Sequence, residues 1–399
     1  MKEDFLRYQA QTSPFPLAIE ITSAKGSYVS DINGKNYLDF IAGVSANTLG
    51  HNHPKISQAI KDQVDKYTHV MVYGEFIQQK PLDLCKLLAA NLPENLNTTY
   101  LTNSGTEATE GAIKLAKRFT GRSEIISAKN GYHGNTQGSM SVCGAEEQNS
   151  AFRPLIPGIK FIEFNNLLDL DKITSKTAGV ILETIQGGAG FLQSENNYLH
   201  LVKEKCKQVG ALLILDEIQS GIGRTGKLFG FENYNVIPDI IVTGKGLGGG
   251  MPIGAFISSY EIMSCLKQQP KLGHITTFGG HPVIAAAAVA TLQELFSSGV
   301  MHEIENKEFL FKKLLEHPLI TEIRGKGLML AAMVETPEIA SKVILKALDK
   351  GLLLYWLLFE GRAIRISPPL NISEDEIYKG CNIIIECLNE VFEEIQQNS

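Results

Sequence analysis

The sequence lacks the features that mark several protein classes. Its six cysteines are scattered with no Cys-x-x-Cys pair, which argues against a zinc site or a disulfide framework and fits a reducing compartment. The net charge is −6 without a long basic run, so binding to nucleic acid or an anionic membrane is not indicated. No apolar stretch has the length of a membrane span, and the first residues lack a signal-peptide core. We therefore expect a cytoplasmic protein without a metal centre.

What the sequence does contain is typical of a large globular enzyme. Apolar residues make up 44% and charged residues 20% of 399 residues, which is enough chain for two domains. In the middle of the chain, short apolar runs alternate with helical patterns, so we expect an α/β fold with a mostly parallel sheet covered on both faces. The runs expected as strands are Thr98–Leu101, Glu124–Ala128, Lys160–Phe164, Val180–Glu183, Ala211–Asp216, Ile240–Thr243 and Ile253–Ser258.

The sequence patterns at the two ends of the chain differ from the alternating strands and helices of the middle. An Asn-Gly turn within Gly26–Phe40 predicts a β-hairpin. After His281 the pattern becomes α+β, with one strand expected over Leu352–Trp356 and a last helix opened by a capping box at Ser373 and Glu376. We expect an N-terminal segment (1–50) that joins a small C-terminal domain (291–399), and a large cofactor domain (51–290) between them.

Two of the expected strands lead to side chains that could take part in chemistry. The run Ala211–Leu215 leads into Asp216, and the run Asp239–Thr243 leads to Lys245, which stands between two glycines. Ligands of parallel sheets bind beyond the carboxyl ends of the strands, so this acid and this amine are expected in one crevice. A carboxylate that keeps a pyridinium nitrogen protonated and an amine that forms a Schiff base are what pyridoxal phosphate (PLP) requires. The alternative is a metal-binding acidic pair, Asp216 and Glu217.

Four further stretches could contribute to such a site, and each also has an ordinary structural explanation. Ser104 and Glu107 form a capping-box pattern, and the helix start between them could bind phosphate or be a plain cap. Tyr132, on a glycine-rich loop, could stack on a flat ring or pack in a turn. The glycines after Glu183 indicate a tightly folded or a flexible loop. Thr276, in a glycine-ended loop, has a hydroxyl that could meet a phosphate or cap a helix.

Two nucleotide-binding patterns are rejected. Gly221 to Lys227 approaches a P-loop, but Leu228 replaces the required serine or threonine, and no strand leads directly into it. Gly244 to Gly249 formally matches G-x-G-x-x-G, but no helix start follows it.

Arg365, on an expected strand, could hold a carboxylate as a bidentate pair, or it could be a solvated surface arginine.

Several motifs, taken in order, resemble one family. Tyr37-Leu-Asp-Phe-x-Ala-Gly43, Leu49-Gly-His-x-His-Pro54 and Ser104-Gly-Thr-Glu-Ala108 are similar to those of class III aminotransferases of PLP fold type I. The resemblance runs almost from end to end and is nearest to the acetylornithine and ornithine enzymes. It implies a ping-pong transaminase that moves an ω-amino group to a 2-oxo acid such as 2-oxoglutarate or pyruvate. A transaminase for another ω-amino acid or amine, an aminomutase or decarboxylase of the same fold, and a non-catalytic relative stay open.

The resemblance also implies roles for individual residues. Lys245 would form the Schiff base and shuttle the proton. The other residues implied to bind the cofactor are Asp216 at the pyridinium nitrogen, Gln219 at the ring hydroxyl, Tyr132 on the ring face, Gly105 and Thr106 at the phosphate, and Glu183. Thr277 would reach the phosphate from the neighbouring subunit, which implies a homodimer. The residues implied to bind substrate are Asn135, Thr276 and Arg365.

Two positions depart from the acetylornithine and ornithine enzymes in ways that concern the substrate. Asn135 stands where those enzymes have an arginine that helps bind a carboxylate. Gly188 stands where they have a glutamate that masks the arginine equivalent to Arg365. We therefore expect Arg365 to be unpaired and more room beside the cofactor ring. We also expect either weaker binding of a dicarboxylate acceptor, so that pyruvate is used as well as 2-oxoglutarate or better, or another basic residue that substitutes for the missing arginine.

Overall fold

The computed structural model describes residues 1–398. Its strands, in chain order, are β1 (Ile21–Lys25), β2 (Tyr28–Asp31), β3 (Asn36–Asp39), β4 (Thr98–Thr102), β5 (Glu124–Ala128), β6 (Ile159–Ile162), β7 (Thr177–Glu183), β8 (Ile185–Gln186), β9 (Leu192–Gln193), β10 (Leu212–Asp216), β11 (Ile240–Gly244), β12 (Gly254–Ser258), β13 (Ile320–Lys326), β14 (Met329–Val334), β15 (Leu352–Leu353), β16 (Tyr355–Trp356) and β17 (Ala363–Ile366).

The helices surround these strands. They are α1 (Lys2–Tyr8), α2 (Pro54–Val64), α3 (Gln79–Ala90), α4 (Gly105–Thr120), α5 (Gln137–Ser141), α6 (Glu146–Asn149), α7 (Tyr198–Val209), α8 (Tyr260–Ser264), α9 (Pro282–Ser297), α10 (Ile304–Leu314), α11 (Pro337–Asp349) and α12 (Glu374–Asn398). Short 3-10 helices cover Ser150–Phe152, Leu167–Lys172, Gly230–Tyr234, Lys245–Gly248, Cys265–Lys267 and Val300–Glu303. A further single turn, Ala42–Ser45, has positive φ angles at all four residues.

The predicted sheet is confirmed. Seven strands lie in the order β4-β12-β11-β10-β7-β5-β6, and the five from β11 to β6 are mutually parallel. Only β12 runs the other way, between β4 and β11. Every residue of β7, β10 and β11 is buried, which follows from their continuous apolar sequences and from helices on both faces. The carboxyl ends of the parallel strands therefore form one edge of the sheet.

The two ends of the chain meet in a second sheet. The predicted hairpin is confirmed as antiparallel β2 and β3, and β3 pairs in parallel with β15 from the C-terminal part of the chain. The single strand predicted over Leu352–Trp356 is wrong. It is divided between two sheets, because Leu352 pairs with Leu38 whereas Tyr355 pairs with Arg365 of β17. The residue boundaries of the predicted domains stay a prediction.

The last helix is capped as its sequence indicates. Ser373 Oγ accepts a hydrogen bond from the Glu376 N–H at 3.2 Å, and the Glu376 carboxylate accepts one from the Ser373 N–H at 2.9 Å. This reciprocal pair is the predicted capping box.

Among the described residues no single helix is both long and apolar enough to cross a membrane. The segments Pro282–Ser297 and Val300–Leu314 meet that test only together, with a 59° bend between them.

Helix α4 packs so closely on the sheet that a side chain at Gly111 would collide with a neighbouring ring. A Cβ atom on Gly111 would lie 2.3 Å from Cε1 of Phe256, whose ring is buried and stacked on Tyr100. Gly111→Ala should therefore lower the free energy of unfolding by about 1–3 kcal/mol through overpacking, despite the better helix propensity of alanine. Urea unfolding measures this. Lys114→Ala, on the exposed face of the same helix, should change stability by less than about 0.5 kcal/mol. A stabilised Gly111→Ala protein would contradict this packing.

Candidate active site

The carboxyl edge of the large sheet opens into a cavity of about 500 Å³. Asp216 and Glu183 are the last residues of the adjacent strands β10 and β7, and Lys245 follows the last residue of β11. The acid and the amine therefore meet in one crevice, as the strand pattern predicts. The cavity is lined by nine of the eleven residues predicted from the sequence, namely Gly105, Thr106, Tyr132, Asn135, Glu183, Asp216, Gln219, Lys245 and Arg365.

Asp216 is held by a histidine that the sequence did not identify. Its Oδ2 atom lies 2.7 Å from Nδ1 of the buried His133, and its Oδ1 atom accepts a hydrogen bond from the Ile218 N–H at 3.0 Å. Nε2 of His133 is buried and has no hydrogen-bond partner among residues 1–398. The histidine stands beside Tyr132 in the loop after β5, but only the fold brings that loop under the end of β10. The pair fixes the orientation of the carboxylate.

Glu183 connects two loops of the site. Its carboxylate accepts hydrogen bonds from the Tyr132 N–H at 2.9 Å and from the Gly187 N–H at 2.8 Å. Burial raises the pKa of this carboxyl to about 7, against the opposing effect of His133. Both oxygens are thus engaged by backbone groups. The residue holds the Tyr132 loop and the glycine-rich loop in their positions.

Lys245 has a strained backbone, and the pKa of its amine is lowered. Its φ angle is +39°, in a region that residues other than glycine rarely adopt. The preceding Gly244 permits this approach, because a Cβ atom there would lie 3.0 Å from the Ile253 carbonyl oxygen. Burial lowers the pKa of the Lys245 amine, and the positive charge of Arg365 lowers it further although Asp216 acts in the opposite direction. A lowered pKa leaves more of the amine neutral, as a nucleophile or base requires.

The start of α4 forms another wall. Ser104 caps the helix by accepting a hydrogen bond from the Glu107 N–H at 3.3 Å. The second half of the predicted capping box is wrong. The Glu107 carboxylate accepts a hydrogen bond from the N–H of Asn103 at 2.7 Å, not from that of Ser104. Gly105 packs so tightly that a Cβ atom would lie 2.6 Å from Cδ1 of Ile218. The first N–H groups of a helix have no partner within it, so Gly105 and Thr106 present donors suited to an anion.

The two acids at the end of β10, Asp216 and Glu217, have different sets of hydrogen-bond partners. The Glu217 carboxylate turns away from Asp216 and accepts hydrogen bonds from two hydroxyls and two backbone N–H groups. The donors are Thr184 and Ser220 at 2.6 Å, the Gly230 N–H at 2.8 Å and the Phe231 N–H at 2.7 Å. No group of three or more potential metal ligands occurs in the described part of the chain. Glu217 is a structural carboxylate.

Arg365 faces the cavity without a partner for two of its nitrogens. The residue is 5% exposed, and its Nε and Nη1 atoms have no hydrogen-bond partner within residues 1–398. Burial lowers the pKa of its guanidinium to about 10. The expected unpaired Arg365 is therefore present. The expected extra room at Gly188 is wrong, because the ring of Phe359 fills it, and a Cβ atom on Gly188 would lie 2.6 Å from Cδ2 of Phe359.

Two predicted residues do not reach the cavity within one chain. Thr277 is exposed. Thr276 lines a separate cavity of about 430 Å³, and its hydroxyl accepts a hydrogen bond from the Gly279 N–H at 2.9 Å. Sequence reasoning also missed the apolar lining, which comprises Val44, Ile218, Tyr355, Trp356 and Leu358. A signal for part of it existed, since three of these residues lie shortly before Arg365 in a hairpin.

Comparison with known proteins agrees with this geometry. The profile of the family "Aminotransferase class-III" matches residues 8–388. The chain belongs to the class III aminotransferases. It is 38% identical to an acetylornithine aminotransferase of Caldanaerobacter subterraneus subsp. tengcongensis, over 94% of this chain and 95% of that protein. It is 34% identical to a [LysW]-aminoadipate semialdehyde/glutamate semialdehyde transaminase of Sulfolobus acidocaldarius, over 93% and 95%.

Solved structures extend the comparison. An ornithine aminotransferase from Toxoplasma gondii ME49 superposes with a TM-score of 0.91 at 31% identity, covering 99% of this chain and 96% of that one. Class III aminotransferases depend on PLP, so this chain is an enzyme with PLP as its cofactor. The cavity suits such a group, because buried polar atoms without partners among the described residues, Nε2 of Gln219 and Nε2 of His133, lie around it together with the free helix start at Gly105.

The network around Glu217 makes a measurable prediction. Glu217→Ala removes four hydrogen bonds and leaves the buried N–H groups of Gly230 and Phe231 without an acceptor. We expect the free energy of unfolding to fall by about 3 kcal/mol or more, since each buried donor left unpaired costs about 1–3 kcal/mol. The matched control Glu147→Ala removes an exposed carboxylate and should change stability by less than about 0.5 kcal/mol. Equal stability of the two variants in urea would mean that Glu217 is not a structural anchor.

Proposed function

We propose that this chain is a ping-pong transaminase that moves an amino group from an ω-amine of the acetylornithine or ornithine type to a 2-oxo acid. The observation that carries the proposal is the meeting of the Lys245 amine and the His133-supported Asp216 carboxylate at the carboxyl edge of one parallel sheet. The relative named acetylornithine aminotransferase supports the choice of donor. In a ping-pong reaction the oxo product leaves before the 2-oxo acid binds.

The residues around the cavity have distinct tasks in this proposal. When bound, PLP supplies a carbonyl that takes up amino groups and a cationic ring that withdraws electrons from the reacting carbon. Asp216, oriented by His133, would keep the ring nitrogen protonated. Gln219 would donate its unpartnered Nε2 to the ring oxygen. Tyr132, whose backbone is fixed by Glu183, would cover one face of the ring.

The phosphate end and the reacting end are served by other residues. The N–H groups of Gly105 and Thr106 at the start of α4 would bind the phosphate, with support from the positive end of the helix. Lys245, with its lowered pKa, would take the proton from the reacting carbon of the substrate and deliver it to C4′ of the cofactor. Arg365 would bind the substrate carboxylate through its unpartnered nitrogens. Asn135 lines the cavity as an uncharged neighbour of the substrate.

The donor can be tested in a half-reaction without any acceptor. Acetylornithine, ornithine and other amines are added one at a time to the PLP-loaded protein, and loss of the visible band of lysine-bound cofactor is followed. We expect rapid loss with acetylornithine. Lys245→Ala should remain folded but lose turnover by roughly a thousandfold or more, because it removes both the nucleophile and the base.

Three outcomes would change the proposal. If only other amines react, the donor belongs to another class of the same chemistry. If product forms without consumption of a 2-oxo acid, the enzyme is an aminomutase or decarboxylase. Unchanged turnover of Lys245→Ala would contradict the mechanism itself.

We also propose that the active unit is a homodimer in which Thr277 reaches the neighbouring site. The support is an exposed apolar surface around the cavity that contains Thr276. Ile77 is 92% exposed, and Phe76, Ile275 and Phe278 lie exposed beside it. Such a surface is unusual on a monomer and typical of a subunit interface. Thr277 is exposed and does not line the cavity of its own chain, which is consistent with a role across the interface.

The dimer is testable by complementation. Protein carrying Lys245→Ala is mixed with protein carrying Thr277→Val after mild dissociation, and activity is measured at limiting PLP. If Thr277 acts across the interface, each mixed dimer has one intact site, so about a quarter of wild-type activity should return. Ile77→Asp should weaken dimerisation in sedimentation experiments, whereas Phe309→Asp, at another exposed apolar position, should not. No recovery of activity in the mixture would contradict the shared site.

A further inference from the structure

Arg224 is a buried cation that has no acid as a partner within residues 1–398. Its side chain is 2% exposed, and burial lowers the pKa of its guanidinium to about 9 with no carboxylate of the described residues acting in the opposite direction. Burying a charge without a counter-charge is costly. The hydrogen bonds of Arg224 must offset this cost, and they show what the residue connects.

The Arg224 side chain binds two backbone carbonyls of the C-terminal sheet. Its Nη1 atom donates to the Leu328 carbonyl oxygen at 3.1 Å and also to the Pro368 carbonyl oxygen. The backbone takes part as well, because the Arg224 carbonyl oxygen accepts a hydrogen bond from the Leu328 N–H at 2.9 Å. A Cβ atom on Gly327 would lie 2.4 Å from this carbonyl oxygen. The turn between β13 and β14 therefore packs directly against Arg224.

Both carbonyls lie on the strands that hold Arg365. Arg365 of β17 pairs with Ala331 of β14. Leu328 directly precedes β14, and Pro368 follows the end of β17, so each carbonyl lies three residues along the chain from this pair. A single guanidinium nitrogen thus joins the two strands close to Arg365.

The loop that carries Arg224 belongs to the cofactor side of the cavity. It begins directly after Asp216 at the end of β10 and contains Gln219, and both of these residues line the cavity. Glu217 anchors the loop through the four hydrogen bonds that its carboxylate accepts. Arg224 therefore connects the segment that contains Asp216 with the strand that contains Arg365.

We propose that Arg224 is a positioning residue that sets the place of Arg365 relative to Asp216 and thereby the affinity of the site for a substrate carboxylate. This inference rests on the proposed function, since it takes Arg365 as the group that binds the carboxylate. Arg224 is not among the residues that line the cavity, so it acts through Arg365. A guanidinium forms two parallel hydrogen bonds with a carboxylate only in a defined geometry, so a small displacement of β17 weakens binding.

Equilibrium binding of pentanoate to the PLP-loaded protein tests the positioning without requiring turnover. Pentanoate has one carboxylate and neither an amine nor an oxo group, and its dissociation constant is measured by ligand-observed NMR. Arg224→Met should raise this constant about ten- to hundredfold, because a displacement of about 1 Å in a binding group has effects of that size. The affinity for PLP should stay close to that of the wild-type protein, because Asp216 and Lys245 remain at the ends of their strands.

Three further variants separate the contact from a general loss of structure. Arg224→Lys should restore most of the affinity, because one nitrogen binds both carbonyls and a lysine amine can replace it. Gly327→Ala keeps the arginine but displaces the turn, so it should weaken pentanoate as well. Arg122→Met is the matched control. It removes an arginine that donates to three carbonyl oxygens at 2.9 Å, one of them on the first residue of β7 at the other edge of the sheet, and should change pentanoate binding by less than about twofold.

A double-mutant cycle with Arg365→Met shows whether Arg224 acts through Arg365. If it does, Arg224→Met should weaken pentanoate by less than about twofold in the Arg365→Met background. A loss of the same size in both backgrounds would give Arg224 a general structural role and overturn the inference.

The outcomes separate this inference from the proposed function. Weaker pentanoate binding in Arg365→Met but not in Arg224→Met would overturn the inference and leave the proposed function intact. Equal losses of PLP and pentanoate affinity in Arg224→Met, without recovery in Arg224→Lys, would also overturn it. If the cycle gives the expected result but no amine reacts, the proposed function fails while the positioning role of Arg224 stands.

Discussion

The structure depends on the placement of a carboxylate and an amine at the ends of two neighbouring parallel strands. Strands β10 and β11 are buried on both faces, so the core fixes their positions. Asp216 and Lys245 are therefore held rigidly at the ends of these strands. His133 then fixes the carboxylate, and a left-handed backbone fixes the lysine. The remaining groups of the site lie on loops that follow other strands of the same sheet edge.

Much of this was accessible from the sequence because the relevant signals are local. Continuous apolar runs predict buried strands, and all seven runs of the large sheet are strands with ends that agree within three residues. Groups at the carboxyl ends of parallel strands share an edge, which is why Asp216 and Lys245 were predicted to meet in one crevice. The start of α4 was likewise indicated by the capping-box pattern of Ser104 and Glu107.

What the sequence could not give are contacts between distant segments. His133 meets Asp216 across 83 positions, and Phe359 covers Gly188 only because a hairpin folds back over the glycine-rich loop. A glycine alone suggested free space, whereas the fold fills that space with a ring. The run Leu352–Trp356 has the composition of one strand, but competition between two sheets for its backbone hydrogen bonds divides it. Thr276 and Thr277 do not line the cavity of their own chain, and the role proposed for Thr277 involves a second copy of the chain.

The charged groups around the cavity differ in how many of their polar atoms already have partners. Asp216 and Glu183 are held by His133 and by backbone N–H groups, whereas Arg365 has two nitrogens without a partner among residues 1–398. The wall beside it is apolar. Asn135 and Gly188, two departures from the acetylornithine and ornithine enzymes that concern the substrate, both line this cavity.

The most direct test of the central claim is to locate the cofactor on the chain. The PLP-loaded protein is reduced with borohydride, digested, and analysed by mass spectrometry. The account predicts that the reduced cofactor is attached to the peptide containing Lys245 and to no other lysine. Attachment elsewhere, or none, would contradict the view that the amine at the end of β11 and the carboxylate at the end of β10 form the reactive centre.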